Sequence, residues 1–316
     1  MTGIIILDYN NATDTINCLE SVLTYTNNGE YKVFVVENGS NQETTERVKQ
    51  YICTHFHNYV VIDDTTASID KLPTAILLIC KANNGYAKGN NKALRLLEKD
   101  EEIDSVLILN NDILFTENIV EKLATYMKTL PNCGIVSPLL MKKDGQTIDH
   151  TCALHDYKII QFFWEYLFVF IDLFGVISNY QSKRCILGNN PELISRDYFE
   201  IEVPSGSCMM ISKELFKRIG YFDDYTFLYF EENILHRKLL SIGKKSYMIP
   251  HLKCIHLGAS TSRKVSSMFT MKCQMKSTAY YLRAYRNAPI MARYVDIMSY
   301  LTIFKIWIQE KIRSKR

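Results

Sequence analysis

Within the first 115 residues, short uninterrupted apolar runs alternate four times with helix-length amphipathic segments, an order that few folds accommodate. Ile4–Leu7, Val33–Val36, Ile76–Ile79 and Val106–Leu109 contain no polar residue, as expected of strands buried on both faces between layers of helices. The alternation predicts an α/β fold with a mostly parallel, doubly wound sheet. In such a sheet ligands bind beyond the carboxyl ends of the strands, where the loops diverge. Each run here closes on polar residues: Asp8-Tyr9-Asn10-Asn11, Glu37-Asn38-Gly39-Ser40, Asn83-Asn84-Gly85 and Asn110-Asn111-Asp112. Asn84, Gly85 and Gly89 suit close backbone approach to a nucleotide, but no Gly-Lys-Ser/Thr closes a Walker loop. Asp112, followed by Ile113-Leu114-Phe115, is placed as an isolated carboxylate on the crevice floor, suited to holding a divalent cation against a phosphate. The same Asn-Asn-Asp also suits an ordinary turn into a helix over 116–130.

Beyond residue 140 the regularity breaks. Residues 159–177 are the most apolar run, yet Glu165 and Asp172 would each cost about 3 kcal/mol at a bilayer centre, favouring a buried or interface-lying helix over a span. Val203–Ser212 predicts a strand kinked at Ser205-Gly206-Ser207, and Glu231 and Glu232 open a helix that runs to Ile242. Two carboxylates there are stabilised by exposed helix N–H groups, which is reason enough for their presence. A strand over 245–250 and the lone His256 follow.

Residues 264–316 hold 11 Lys or Arg against Asp296 and Glu310, with aromatics at helical spacing. Such a basic, aromatic tail fits either a membrane interface or a helix pair packed on the body. The overall formal charge of +3 gives no case for nucleic acid. Nine scattered cysteines with no CxxC pair fit free thiols in a reducing cytosol. The start, Met1-Thr2-Gly3 and four apolar residues, does not read as a signal peptide.

Taken in order, IIILDYNN, VVENGS, NNGYAKGNN, LILNND, PSGSCMMIS, GYFDDYTFLYFEEN and IHLG resemble the inverting, GT-A type glycosyltransferases of family 2, particularly rhamnosyltransferase-like bacterial enzymes of surface-polysaccharide synthesis. The resemblance runs from about residue 3 to 260. It implies a GT-A domain over 1–263, divided into a nucleotide-sugar half (1–115) and an acceptor and catalytic half (116–263) with a helical insertion at about 140–203. The helical tail, 264–316, would follow.

By the same resemblance Tyr9, Asn10, Glu37, Asn84, Gly85, Asn110, Asn111 and Gly206 would form the nucleotide-sugar pocket, with Glu37 on the pyrimidine base. Asp112 and His256 would hold Mn²⁺ or Mg²⁺, Asn110 standing where relatives carry a first Asp. Glu232 falls on the general base, and Asp223 and Glu231 on the acceptor side. Relatives carry Glu-Asp-x-Asp here; in Glu231-Glu232-Asn233-Ile234 the base is one methylene longer and the second Asp is lost. The implied reaction moves one sugar from dTDP-rhamnose or a UDP-sugar to a lipid-linked glycan, at the cytoplasmic face of a bacterial membrane. Two rivals are a sugar nucleotidyltransferase, for which the Asp8 loop lacks a basic glycine-rich segment, and a non-catalytic sugar-nucleotide-binding or scaffold member.

Overall fold

The computed structural model describes residues 1–27, 29–65, 69, 71–171, 183–258 and 267–313. Residues 172–177 of the apolar run, Asp172 among them, and 264–266 of the tail lie outside the described residues.

The first half follows the expected alternation: β1 (Thr2–Asp8), α1 (Ala12–Tyr25), β2 (Tyr31–Asn38), α2 (Gln42–His55), β3 (Tyr59–Asp63), β4 (Ala75–Cys80), α3 (Gly85–Leu97) and β5 (Ser105–Asn110). These strands lie in the order β3-β4-β2-β1-β5 and are all parallel. Ile4 and Ile6 face a core shared with α1 and α2, and Ile5 faces the opposite core with α3. All three isoleucines are fully buried, each contributing about 1.5–3 kcal/mol relative to exposure. That double coverage is why the runs carry no alternating polar positions.

Ile113-Leu114-Phe115 does not lead straight into a helix. It forms β6 (Ile113–Phe115), and the helix expected from 116 begins at α4 (Val120–Thr129). Ile113 and Phe115 are buried while Leu114 is less so, the period-two pattern of a strand. After β7 (Cys133–Lys142), the region expected to be a helical insertion is mixed. It holds β8 (Ala153–Leu154), α5 (Ile159–Phe170), the single-turn α6 (Ile186–Asn189) and β9 (Phe199–Ile201).

The sheet is completed after β10 (Val203–Pro204) by β11 (Cys208–Ser212), which inserts antiparallel between β5 and β7. Next come α7 (Lys213–Arg218), α8 (Glu231–Leu240) and β12 (Lys245–His256). β12 lies parallel to β7 and runs past the expected end at Pro250. Its pairing slips between Ile249 and Lys253, where Pro250 has no N–H to give, and resumes to His256. The carboxyl ends of β1, β2 and β5 lie side by side, Asp8 level with Glu37 and Leu7 level with Asn110.

The tail forms α9 (Ser267–Ala284) and α10 (Pro289–Arg313). Together with α5 and the start of α8 these helices enclose a third core, in which Phe162, Tyr281, Leu282, Val295 and Ile234 are almost fully buried. No described helix is long and apolar enough to cross a membrane.

Candidate active site

At the floor of the crevice the register of β1 and β2 sets two carboxyls against each other. Asp8 and Glu37 are both fully buried. Asp8 Oδ1 accepts from the Asn11 N–H at 3.2 Å and from Asn111 Nδ2 at 2.7 Å. Burial, with the neighbouring Asp8 charge, pushes the Glu37 carboxyl up to about 8. Burial raises the Asp8 carboxyl as well, and Asp8 Oδ2 and both Glu37 oxygens are buried without a hydrogen-bond partner, so a proton held by Glu37 could be shared with Asp8 and would leave the pair one negative charge.

The other predicted nucleotide-side residues divide between crevice and scaffold. Asn10, at φ 56°, joins the first two loops: its N–H donates to Ser40 Oγ and its Oδ1 accepts from the Asn41 N–H. Tyr9, beside it, is partly exposed. Asn84 donates its backbone N–H to Asn38 Oδ1 at 3.0 Å, and Asn38 Nδ2 donates to the Gly85 carbonyl. Gly85 has φ +76°, and a Cβ there would stand 2.3 Å from the Phe227 carbonyl oxygen. The close approach that this glycine permits is therefore to the chain's own 223–230 segment. Asn111 is turned inward, its amide shared between Asp8 and Thr15 Oγ1, and supports the floor from beneath. Asn110 is tied across to β11, its N–H donating to the Ser207 carbonyl and Nδ2 to Ser207 Oγ.

Asp112 and His256 do come together. His256 Nε2 lies 3.4 Å from Asp112 Oδ2, and His256 Nδ1 lies 2.8 Å from Asp149 Oδ2. Burial lowers the affinity of the His256 ring for a proton, but hydrogen bonds to Asp112 and Asp149 outweigh it and raise its pKa to about 9. Burial likewise favours a neutral Asp149, yet the bonds from His256 and Thr151 hold its carboxyl at about 2. Asp112 Oδ1 is buried with no hydrogen-bond partner. The open Asp112 oxygen fits a divalent cation whose further ligands are phosphate oxygens or water, and His256 could join it only by giving up the Nε2 proton it now shares with Asp112. Among the described residues no group of three or more His, Cys, Asp or Glu is arranged to hold a metal alone.

Glu231 and Glu232 open α8 from a strained approach. Tyr229 and Phe230 have φ of 71° and 72°, left-handed values that cost a residue with a Cβ about 1–2 kcal/mol each. Phe230 is held in place by Tyr157 and Tyr281, ring centroids 5.6 and 5.2 Å away. Glu232 Oε1 accepts from the Gly206 N–H at 3.1 Å, and Tyr86 Oη donates to the Gly206 carbonyl at 2.7 Å. A Cβ on Gly206 would stand 2.4 Å from Glu232 Oε1. Gly206 thus seats the carboxylate by lacking a side chain. Burial raises the pKa of both glutamates, and the Glu232 charge helps to bring Glu231 to about 8. Glu231 is almost wholly buried, whereas Glu232 keeps a partly exposed face.

The lost second Asp has a structural answer. Ile234 is 1% exposed and belongs to the third core, so an aspartate there would be a buried charge. Polar support for α8 comes instead from Asp156, which accepts from Asn233, Arg237, Tyr281 and Arg286. Asp223 is likewise engaged, accepting from the Tyr280 and Tyr285 hydroxyls of the tail. It ties α9 to the 223–230 segment and is not an open acceptor-side group. Asp8, Asp149 and Asp156 escaped the sequence reading. Asp8 ends an apolar run level with Glu37 and could have been found by register; Asp149 and Asp156 sit in irregular segments without a motif.

The mostly parallel sheet with its carboxylates at the strand ends is an α/β fold of the GT-A type, as its solved structural neighbours show. The profile of Glycosyl transferase family 2 matches residues 3–220, and the chain belongs to that family. It is 26% identical over 232 residues to the low-salt glycan biosynthesis hexosyltransferase Agl10 of Haloferax volcanii, covering 73% of this chain and 58% of that protein. It is 23% identical over 230 residues to the N-acetylglucosaminyl-diphospho-decaprenol L-rhamnosyltransferase of Mycobacterium tuberculosis, covering 68% and 69% of the two. Among solved structures, GalNAc-T7 with UDP, GalNAc and Mn²⁺ superposes with a TM-score of 0.61 at 13% identity, covering 90% of this chain and 47% of that one.

Proposed function

We propose that this chain is a metal-dependent inverting glycosyltransferase that moves one sugar from a pyrimidine nucleotide sugar, dTDP-rhamnose or a UDP-sugar, to a lipid-linked glycan of a surface polysaccharide. The observation that carries it is the Glu232 carboxylate seated on the Gly206 amide, with Gly206 adjoining Ser207, the partner of Asn110 at the strand end before Asp112. That proximity at one end of the sheet supports reading Glu232 as the base and Asp112 as the cation-binding carboxylate. The Mycobacterium relative is named for rhamnosyl transfer to a lipid diphosphate, which supports the donor and acceptor class.

In this reading Tyr9, Asn10, Asn84 and the Glu37–Asp8 floor cradle the nucleoside. Asp112, with His256 once deprotonated at Nε2, would hold Mn²⁺ or Mg²⁺, which would supply positive charge beside the diphosphate. Asp149 fixes the ring of His256 by accepting at Nδ1, leaving Nε2 for the cation side. Glu232 takes the proton of the acceptor hydroxyl while the hydroxyl oxygen bonds to the anomeric carbon. The bond from that carbon to the nucleoside diphosphate breaks on the opposite side, and configuration inverts. Glu231, buried and protonated, leaves the pair with a single charge.

A thermal-shift panel of nucleotide sugars with Mn²⁺, Mg²⁺ or EDTA tests this reading. A donor at 100 times its dissociation constant stabilises the fold by about 2.7 kcal/mol. A metal-dependent shift with one sugar nucleotide supports it; shifts unaffected by EDTA contradict the role of Asp112 and His256.

A further inference from the structure

The buried face of α10 carries Ala292, Val295, Met298 and Thr302. At about 100° per residue, its opposite face gathers Ile290, Ile297, Tyr300, Phe304, Trp307 and Ile308 into an arc of about 100°. All six are exposed, Ile290 by 88% and Tyr300 by 82%. α5 has the same double character: Phe162 and Tyr166 point into the third core while Ile160 and Trp164, and Ile171 just past its end, are exposed. The two helices run alongside one another. Phe163 stacks on Tyr294 with centroids 5.0 Å apart, and Lys305 Nζ donates to the Phe170 carbonyl at 2.6 Å. Two neighbouring helices that are apolar on the side away from the core form a face that water does not favour.

The charge around this face points to its occupant. Residues 267–313 contain eight Lys or Arg and two acids, Asp296 and Glu310. Asp296 is already engaged by Arg283, and Lys311 lies over the Trp307 ring at 4.3 Å. An apolar aromatic strip set in a basic segment complements an anionic lipid surface, where rings enter the headgroup boundary and cations meet phosphates. The third core behind the helices and their short apolar lengths rule against a span.

We propose that the outer faces of α5 and α10 dock the protein on an anionic phospholipid bilayer, lying in its interface. The inference supplies the surface on which the proposed lipid-linked acceptor would be met, but it stands on the exposed face alone. The test is cosedimentation of the full chain with phosphatidylcholine vesicles with and without 30 mol% phosphatidylglycerol, for the wild type and Phe304→Glu/Trp307→Glu. Binding should require phosphatidylglycerol and weaken with salt. The double variant should lose roughly 30-fold or more in partitioning while its far-UV spectrum and Tm stay unchanged. Absence of wild-type binding, or equal binding by the variant, overturns the proposal. So does a wild-type dimer that becomes monomeric in the variant without vesicle binding, which would make a second copy the occupant. Sugar-nucleotide thermal shifts on both proteins keep the result separate from the enzymatic reading, since neither substitution touches the crevice.

Discussion

Replacing Glu37 by glutamine tests whether the floor of the crevice holds a protonated acid. Glu37 is fully buried against Asp8, with its carboxyl at about 8 against an ordinary 4.5. A carboxyl whose folded pKa is raised binds its proton more tightly in the folded state, so stability falls as pH rises from the unfolded value to the folded one. The loss is about 1.4 kcal/mol per pH unit: about 3 kcal/mol by pH 7, reaching about 5 kcal/mol above pH 8, relative to acid pH. In Glu37→Gln the neutral amide would carry no such loss, and its Nε2–H can donate to Asp8 as a protonated glutamate would. The assay is thermal unfolding of both proteins from pH 5 to 9. At about 2 °C per kcal/mol for a chain of this size, the variant should match wild type near pH 5 and exceed it by roughly 5–10 °C at pH 9. Parallel pH curves, or a variant destabilised equally at both ends, would show that Glu37 titrates as an ordinary carboxylate and refute the shared proton.

Two further substitutions address the two halves of the site. Gly206→Ala sets a methyl group 2.4 Å from Glu232 Oε1 and should lower kcat by about 10²-fold, with the thermal shift from the donor preserved. Asp149→Ala frees the His256 ring and should weaken Mn²⁺ affinity 10–100-fold, measured directly as free Mn²⁺ by electron paramagnetic resonance. Asp149→Asn, which retains an acceptor for Nδ1–H, should recover part of that loss.

The parallel half of the sheet was legible because Ile4–Ile6, Val33–Val36, Ile76–Leu78 and Val106–Leu109 are buried on both faces, with only Leu7 and Ile79 partly exposed at the strand ends. The pairing of Asp112 with His256 was also within reach, through family order rather than through local chemistry. What lay beyond reach depends on contacts distant in the chain. Gly85 reads as a nucleotide-loop glycine until Phe227 is found above it, and Asn111 reads as a ligand until its amide is seen to point at Asp8. Asp223 and Asp156 each draw a partner from the tail, Tyr280 for Asp223 at 57 residues and Tyr281 for Asp156 at 125. Ile234, a departure when read as a motif, becomes an ordinary core residue once the tail helices close over it.

Sugar transfer and donor binding, measured side by side for wild type and Glu232→Gln, separate proton removal from donor recognition. The variant should bind the sugar nucleotide with unchanged affinity and transfer it roughly 10²–10⁴-fold more slowly, the usual worth of a general base. Undiminished transfer by Glu232→Gln would move the base off Glu232, and with it the role assigned to the Gly206 seat.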